Sequence, residues 1–322
     1  MDIKKTIKVQ FADFWPGFVP KEFYLYKLLL QHYNLEISDQ PEILFYSVYS
    51  RKHLKYRCTK VLFTGENIRP NFTECDFAFS FDYSDDSRNY RLPLYALYDD
   101  VNKLINLNLY NLADVKKKSK FCCFVVSNPN NQIRNNFFKQ LLAHKHVDSG
   151  GTLFNNIGGA VENKRAFIRD YKFVIAFEND SYPGYVTEKI FEPLLEGSIP
   201  IYWGTDTVIQ DFNGKRFINC HDFDSFETTI KYILEIDKDD NKYLEILNEP
   251  VFNKNLPPEN LNESNILARL DHIVNAQHKG YFMNVLKHNL RPISIQIISA
   301  VNAIFYKFNN KYQSVKSYLK IG

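Results

Sequence analysis

The chain has 322 residues, of which 45% are hydrophobic and 16% aromatic, which suits two globular cores and excludes disorder over any large part. A formal net charge of +3 gives no reason to expect a nucleic-acid partner, and no apolar run is long enough to cross a bilayer. The five cysteines (Cys58, Cys75, Cys122, Cys123 and Cys220) form an odd set without a CxxC pair. They are expected to be reduced thiols in a cytosolic setting, with no zinc site.

The N-terminal residues alternate Lys8 and Gln10 with Ile7, Val9 and Phe11, the period of a first strand. No uninterrupted apolar core precedes it, so neither a signal peptide nor an N-terminal anchor is expected. Pro20 opens an apolar-rich helix over Phe23 to Tyr33. Strands follow at Ile43 to Tyr46, Lys60 to Thr64 and Phe77 to Phe81, with helical character near Leu97 to Ile105. Alternation of this kind predicts a doubly wound α/β domain. The Asn- and Lys-rich stretch from Asn106 to Lys118 reads as a junction, giving an N-terminal domain over 1–117 and a second over 118–290.

The second series starts with the apolar run Phe121 to Val126 and the loop Ser127-Asn-Pro-Asn-Asn131, then a helix over Ile133 to His144 with Arg134 in its first turn. Phe173 to Phe177 is apolar on both faces, as is Ile199 to Trp203; a helix over Val186 to Glu196 separates them, with Gly197 placed to stop it. This is the pattern of a parallel βαβ unit, whose ligand binds where the first strand ends and the helix begins. Glu178, Asn179, Tyr185, Glu188 and Lys189 stand there, and a helix N-terminus with an adjacent lysine suits a phosphate.

From His272 onward there are seven cations and no carboxylate, while the preceding 271 residues hold 33 basic and 37 acidic groups. Within this tail Ile297, Val301, Ile304, Phe308, Tyr312, Val315 and Leu319 recur every three or four residues. The lysines at 307, 311, 316 and 320 lie off that face. Residues 291–322 therefore read as a basic amphipathic helix, suited either to an anionic membrane surface or to docking on the body. The expected location is cytoplasmic, and peripheral on the inner face of the membrane where the tail takes the first of these roles.

The stretch Phe177-Glu-Asn-Asp-Ser-Tyr-Pro-Gly-Tyr-Val-Thr-Glu-Lys189, with Ile199-Pro-Ile-Tyr-Trp-Gly204, resembles the signature of the α1,3/4-fucosyltransferases. Phe63-Thr-Gly-Glu-Asn67 with Pro70-Asn-Phe72, Ser127-Asn-Pro-Asn130 with Ile133-Arg-Asn135, and Arg91-Leu-Pro-Leu-Tyr95 fit the bacterial members in the same order. The resemblance implies a GT-B fold, two Rossmann-like domains facing a cleft, with GDP-fucose in the C-terminal one and the acceptor site shaped by the other. It implies inverting transfer from GDP-β-L-fucose to the 3-hydroxyl of GlcNAc in a LacNAc-type glycan, as in Lewis-type decoration of lipopolysaccharide. No cofactor is required on this reading, GDP-fucose being a co-substrate and a divalent metal at most stimulatory.

Single displacement needs a base on the acceptor side and charge stabilisation on the leaving-group side. Glu66 lies in a Gly-Glu-Asn turn at a strand end, and the family places its suspected base at the glutamate of this motif; a turn carboxylate bonding nearby backbone is the alternative. Arg134 offers a fork of donors and Lys189 a point charge to a diphosphate; both could instead be surface cations. Glu188 suits a donor sugar hydroxyl. Asn179 and Tyr185 suit fucose or the diphosphate, and Glu178 is a candidate loop orienter. The triplets Asp222-Phe-Asp224 and Asp237-Lys-Asp239 lie outside the donor motif and are not expected to hold a metal, and His144, His146 and His221 lack ligand spacing. Two other readings stay open: a GT-B transferase with a different nucleotide sugar, or a non-catalytic protein that binds glycans or membranes.

Overall fold

A computed structural model describes residues 4–279. The basic tail beyond residue 290, and with it the membrane reading, lies outside the described residues. Among the described residues no helix is long and apolar enough to cross a membrane.

The contacts divide the chain into two compact units. The first takes the described residues through Phe63, then Pro70–Ala78, and those from Ala268 onward. Its elements are β1 (Thr6–Ala12), α1 (Tyr24–His32), β2 (Asn34–Ile37), β3 (Ile43–Tyr46), β4 (Thr59–Phe63) and the start of β5 (Phe77–Ser80). The sheet order is β2-β1-β3-β4-β5, continued by the short β6 (Asn89–Arg91), and β1 pairs in parallel with both β2 and β3. All four residues of β3, a continuous apolar run as a central parallel strand requires, are buried, and so are all five of β4, Thr59 and Lys60 included.

The second unit takes Thr64–Arg69 and Phe79–Leu267. After β6 and two 3-10 turns, Leu94–Leu97 and Val101–Leu104, come α2 (Leu112–Lys117), β7 (Lys120–Phe124), α3 (Gln132–His144), β8 (Val147–Ser149) and α4 (Lys164–Ile168). They are followed by β9 (Tyr171–Phe177), α5 (Glu188–Leu195), β10 (Ile199–Trp203), β11 (Ile218–Asn219), α6 (Phe226–Lys238), α7 (Asp240–Asn248) and α8 (Glu263–Lys279), which runs on into the first unit. The five-stranded sheet has the order β11-β10-β9-β7-β8 with every pair parallel. Phe124, Phe137, Phe173, Phe177, Ile201 and Ile233 join in one core across the sheet and its helices.

The two compact units divide the chain elsewhere than at the expected junction of 117/118. Thr64–Arg69 and residues 79–117 belong with the second unit. The physical reason is packing: Tyr95 is wholly buried beside Phe212 (ring centroids 4.9 Å) and Phe191 (6.0 Å). The helical character expected near Leu97 to Ile105 takes the form of two 3-10 turns, Leu94–Leu97 and Val101–Leu104, the second capped by Asp100. Gly197 stops α5 as expected. It adopts φ +65°, and the Gly197 and Ser198 N–H groups donate to Leu194 O (3.2 Å) and Pro193 O (2.9 Å), a Schellman reversal. The five cysteines are free thiols.

Candidate active site

The order of the second sheet determines where a ligand fits. From β7 the chain moves to β8 on one side and then returns to β9 on the other, so the topological switch point lies between β7 and β9. In a doubly wound sheet the crevice opens there, at the carboxyl ends of the strands. The loop after β7 leads into α3 and the loop after β9 into α5. These are the loops that carry Arg134 and the Glu178–Lys189 motif.

Asn131 ties the two loops together. Its side-chain oxygen caps α3 by accepting from the Arg134 N–H (2.9 Å), and its amide donates to Glu178 O (2.9 Å) and Asn179 O (3.2 Å). The Arg134 guanidinium is held beneath, 1% exposed, donating to Asn179 Oδ1 (2.8 Å) and Asn128 O (2.7 Å). Its Nε–H has no partner, and among the described residues no carboxylate forms an ion pair with it. Burial pushes its pKa down, with Glu178 and Tyr185 opposing. A buried guanidinium with an unmet donor and no counter-ion is costly unless an anion completes it.

Glu178 is fully buried. It accepts from the Thr187 N–H (2.8 Å) and the Thr187 hydroxyl (2.6 Å) and forms an ion pair with Lys189 Nζ, 3.4 Å away. Burial pushes its carboxyl up, while Lys189 and the Thr187 donors pull it back. Glu178 therefore orients the loop from behind. Gly204 makes room for it, since a Cβ there would lie 2.7 Å from Glu178 Cγ. Lys189 Nζ also reaches Thr187 Oγ1 (3.0 Å) and Glu188 Oε1 (3.2 Å), and its side chain is 17% exposed. Burial alone would lower the lysine pKa, but Glu178 and Glu188 raise it, so the cation is firmly charged. Burial would likewise raise Glu188, and Lys189 with Lys164 outweighs it, leaving an ionised carboxylate in the first turn of α5. Tyr185 is 3% exposed and packs edge-on to Phe81 (5.1 Å), so it shapes the site more than it faces it.

Glu66 is exposed in the turn after β4. Its N–H donates to Thr64 Oγ1 (3.1 Å), and its carbonyl accepts from Ile68 N–H (2.6 Å). Burial, then Glu178, pushes the Tyr185 phenol up, and Glu66 adds to that field. The structure thus brings Arg134, Asn179, Glu178, Tyr185, Glu188 and Lys189 to one switch point, and Glu66 within electrostatic range of Tyr185. His221 binds Gly204 O (3.0 Å) and stacks on Trp203, and His146 binds Asp148 (2.8 Å). Among the described residues no cluster of three His, Cys, Asp or Glu side chains offers a metal-ligand set.

Comparison with known proteins shows the family. Residues 9–98 match the family model of the α-(1,3)-fucosyltransferase FucT N-terminal domain, and residues 115–248 match that of glycosyltransferase family 10 (fucosyltransferase). The α-(1,3)-fucosyltransferase FucT of Helicobacter pylori is 36% identical over 291 residues, covering 77% of this chain and 60% of the relative. A crystal structure of an α1,3-fucosyltransferase with GDP-fucose superposes with a TM-score of 0.70 at 30% identity, covering 85% of this chain and 92% of that one. The chain belongs to the fucosyltransferase family. Its fold is accordingly of GT-B type. A mouse 4-galactosyl-N-acetylglucosaminide 3-α-L-fucosyltransferase 9 is 31% identical over 174 residues, 52% of this chain and 46% of that protein. This family member thus spans about 60% of the length of the H. pylori relative.

One clamp in this fucosyltransferase-family chain escaped the sequence reading, although its motif was noted. Arg91 forms a two-pronged pair with Asp211 (2.8 and 2.7 Å), lies 4.2 Å over the Tyr83 ring, and donates to Phe81 O (3.1 Å) and Gly184 O (3.4 Å). Thr207 holds the Gly184 N–H from the other side (2.8 Å). Gly184 itself has φ +82°, and a Cβ would sit 2.5 Å from Phe81 O. Only a partner 120 residues away completes the clamp, and sequence spacing carries no trace of that. Asp211 is 2% exposed, so Arg91→Ala leaves a buried carboxylate unpaired. A loss of about 3–5 kcal/mol is expected. Differential scanning calorimetry should record a Tm drop on the order of 10 °C.

Proposed function

We propose that this chain transfers L-fucose from GDP-β-L-fucose to the 3-hydroxyl of GlcNAc in a LacNAc-type acceptor, with inversion. The observation that carries the reading is the switch-point site. Arg134 is buried there with an unmet donor, and Lys189 and Glu188 stand in the first turn of α5, in a chain whose relative of known structure holds GDP-fucose. The acceptor oxygen bonds to C1 of fucose while the bond from C1 to the diphosphate oxygen breaks. The proton passes to the Glu66 carboxylate. The electron pair departs with GDP, whose growing charge is met by Arg134 and Lys189. Glu188 is assigned to a donor sugar hydroxyl. The name of the mouse relative, which specifies a galactosylated N-acetylglucosamine and a 3-linkage, supports this acceptor.

The test is incubation with GDP-fucose and N-acetyllactosamine, followed by linkage analysis of the product. An α1,3-fucoside on GlcNAc is expected. Preference for UDP- or other nucleotide sugars in a donor panel would replace the reading with a different GT-B activity. Because two protein cations meet the leaving group, turnover should survive excess EDTA within about twofold, against the roughly 10²-fold or greater loss expected where preorganised charge is removed. A collapse reversed by added Mn²⁺ would require a metal in the scheme.

A further inference from the structure

The Glu66 turn is tied to the donor loop by two side chains outside the chemistry. Asn67 Nδ2 donates to Asp180 Oδ2 (2.5 Å), and Asn67 Oδ1 accepts from Arg69 Nη1 (3.5 Å). Arg69 in turn places its guanidinium 3.8 Å over the Tyr182 ring, which stands edge-on to Phe81 (6.0 Å). Asp180 and Tyr182 belong to the loop after β9, between Asn179, bound by Arg134, and Gly184, held by Arg91. Resting on the reading of Glu66 as base, we propose that Asn67 and Arg69 are positioning residues. They latch the base-bearing turn to the donor loop, so that the carboxylate is held in register with that loop for transfer.

The physical argument is one of reach. A general base must come within about 2.6–3.2 Å of the proton it takes. Glu66 is exposed, and its own N–H and carbonyl bonds run to neighbours within two residues, Thr64 and Ile68. The latch ties that turn to the donor loop through contacts 113 residues apart. Binding of the diphosphate by Arg134 and Lys189 does not pass through Asn67, so losing the latch should cost transfer and spare donor affinity.

The test uses the full chain, GDP-fucose and N-acetyllactosamine, with Glu66→Gln as reference. Asn67→Asp sets two carboxylates against each other and should lower kcat by about 10-fold or more, within the roughly 10²-fold that a 1 Å misplacement costs. The GDP Kd and the Tm should stay near parental values. Asp180→Asn keeps a hydrogen-bond partner and should stay within about threefold of the parent. The double variant Asn67→Asp/Asp180→Asn restores the bond in reverse and should recover most of the turnover, which a general loosening of the fold would not. Arg69→Gln should act in the same direction as Asn67→Asp. Parental turnover in Asn67→Asp alongside collapse in Glu66→Gln would refute the latch and leave the base standing. Equal loss of GDP affinity and turnover would reduce Asn67 to a support of the donor loop and overturn the proposal. Parental turnover in Glu66→Gln would remove both the base and the latch.

Discussion

Glu66→Gln should lower the turnover of fucose transfer by about 10²–10⁴-fold while GDP binds as it does to the parent. The substitution keeps the size of the side chain and, in the Thr64–Ile68 turn, the backbone bonds that the glutamate makes. What it removes is the ability to take a proton from the acceptor hydroxyl as the new bond forms. The diphosphate contacts come from other loops, those after β7 and β9, so donor affinity measured by calorimetry should not change. Parental turnover in this variant would take the base role from Glu66 and return it to the alternative of a turn carboxylate.

The donor half of the site was legible in the sequence because its signals are local. Phe173–Phe177 and Ile199–Trp203 are apolar on both faces, and Gly197 stands where the helix must reverse, so β9, α5 and β10 follow from spacing alone. Arg134 and the Glu178–Lys189 group fall at the switch point because each closes a strand-to-helix turn in the same sheet. What spacing could not supply was pairing across the chain. Lys189 read as a free phosphate ligand, yet it is engaged by Glu178 and Glu188, and Glu178 is oriented by Thr187, nine residues on. Arg91 had a recognisable motif but no role until Asp211 was found beside it. The compact units likewise divide elsewhere than at the junction read from composition. Asn106 to Lys118 has the composition of a linker, but Tyr95 and Arg91 upstream of it are already packed into the second core.

Arg134→Met and Lys189→Met should both cut transfer by about 10²–10³-fold, the loss typical when one preorganised charge is removed from a developing anion. Their effects on the fold should differ, and that difference tests the roles separately. Arg134 is buried without a counter-ion and with an unmet Nε–H, so replacing it with an apolar chain loses two hydrogen bonds but also a desolvated charge. Its Tm should remain close to the parent's, with GDP affinity sharply reduced. Lys189 is the cation between two carboxylates, one of them fully buried, so Lys189→Met strands Glu178 and should cost about 3–5 kcal/mol of stability. The pH dependence has a definite sign. Burial already raises Glu178 above its unfolded value, and without Lys189 it rises further. The folded variant then holds a proton that the unfolded chain has released, so its stability falls as pH increases from about 4.3 upward. The deficit relative to the parent should therefore be smallest in acid and widest near neutrality, measured by urea unfolding across pH. If Arg134→Met retained parental GDP affinity, its buried guanidinium would not be the diphosphate's partner. The charge neutralisation would then fall to Lys189 alone, already shared between two glutamates and so far weaker as an anion clamp.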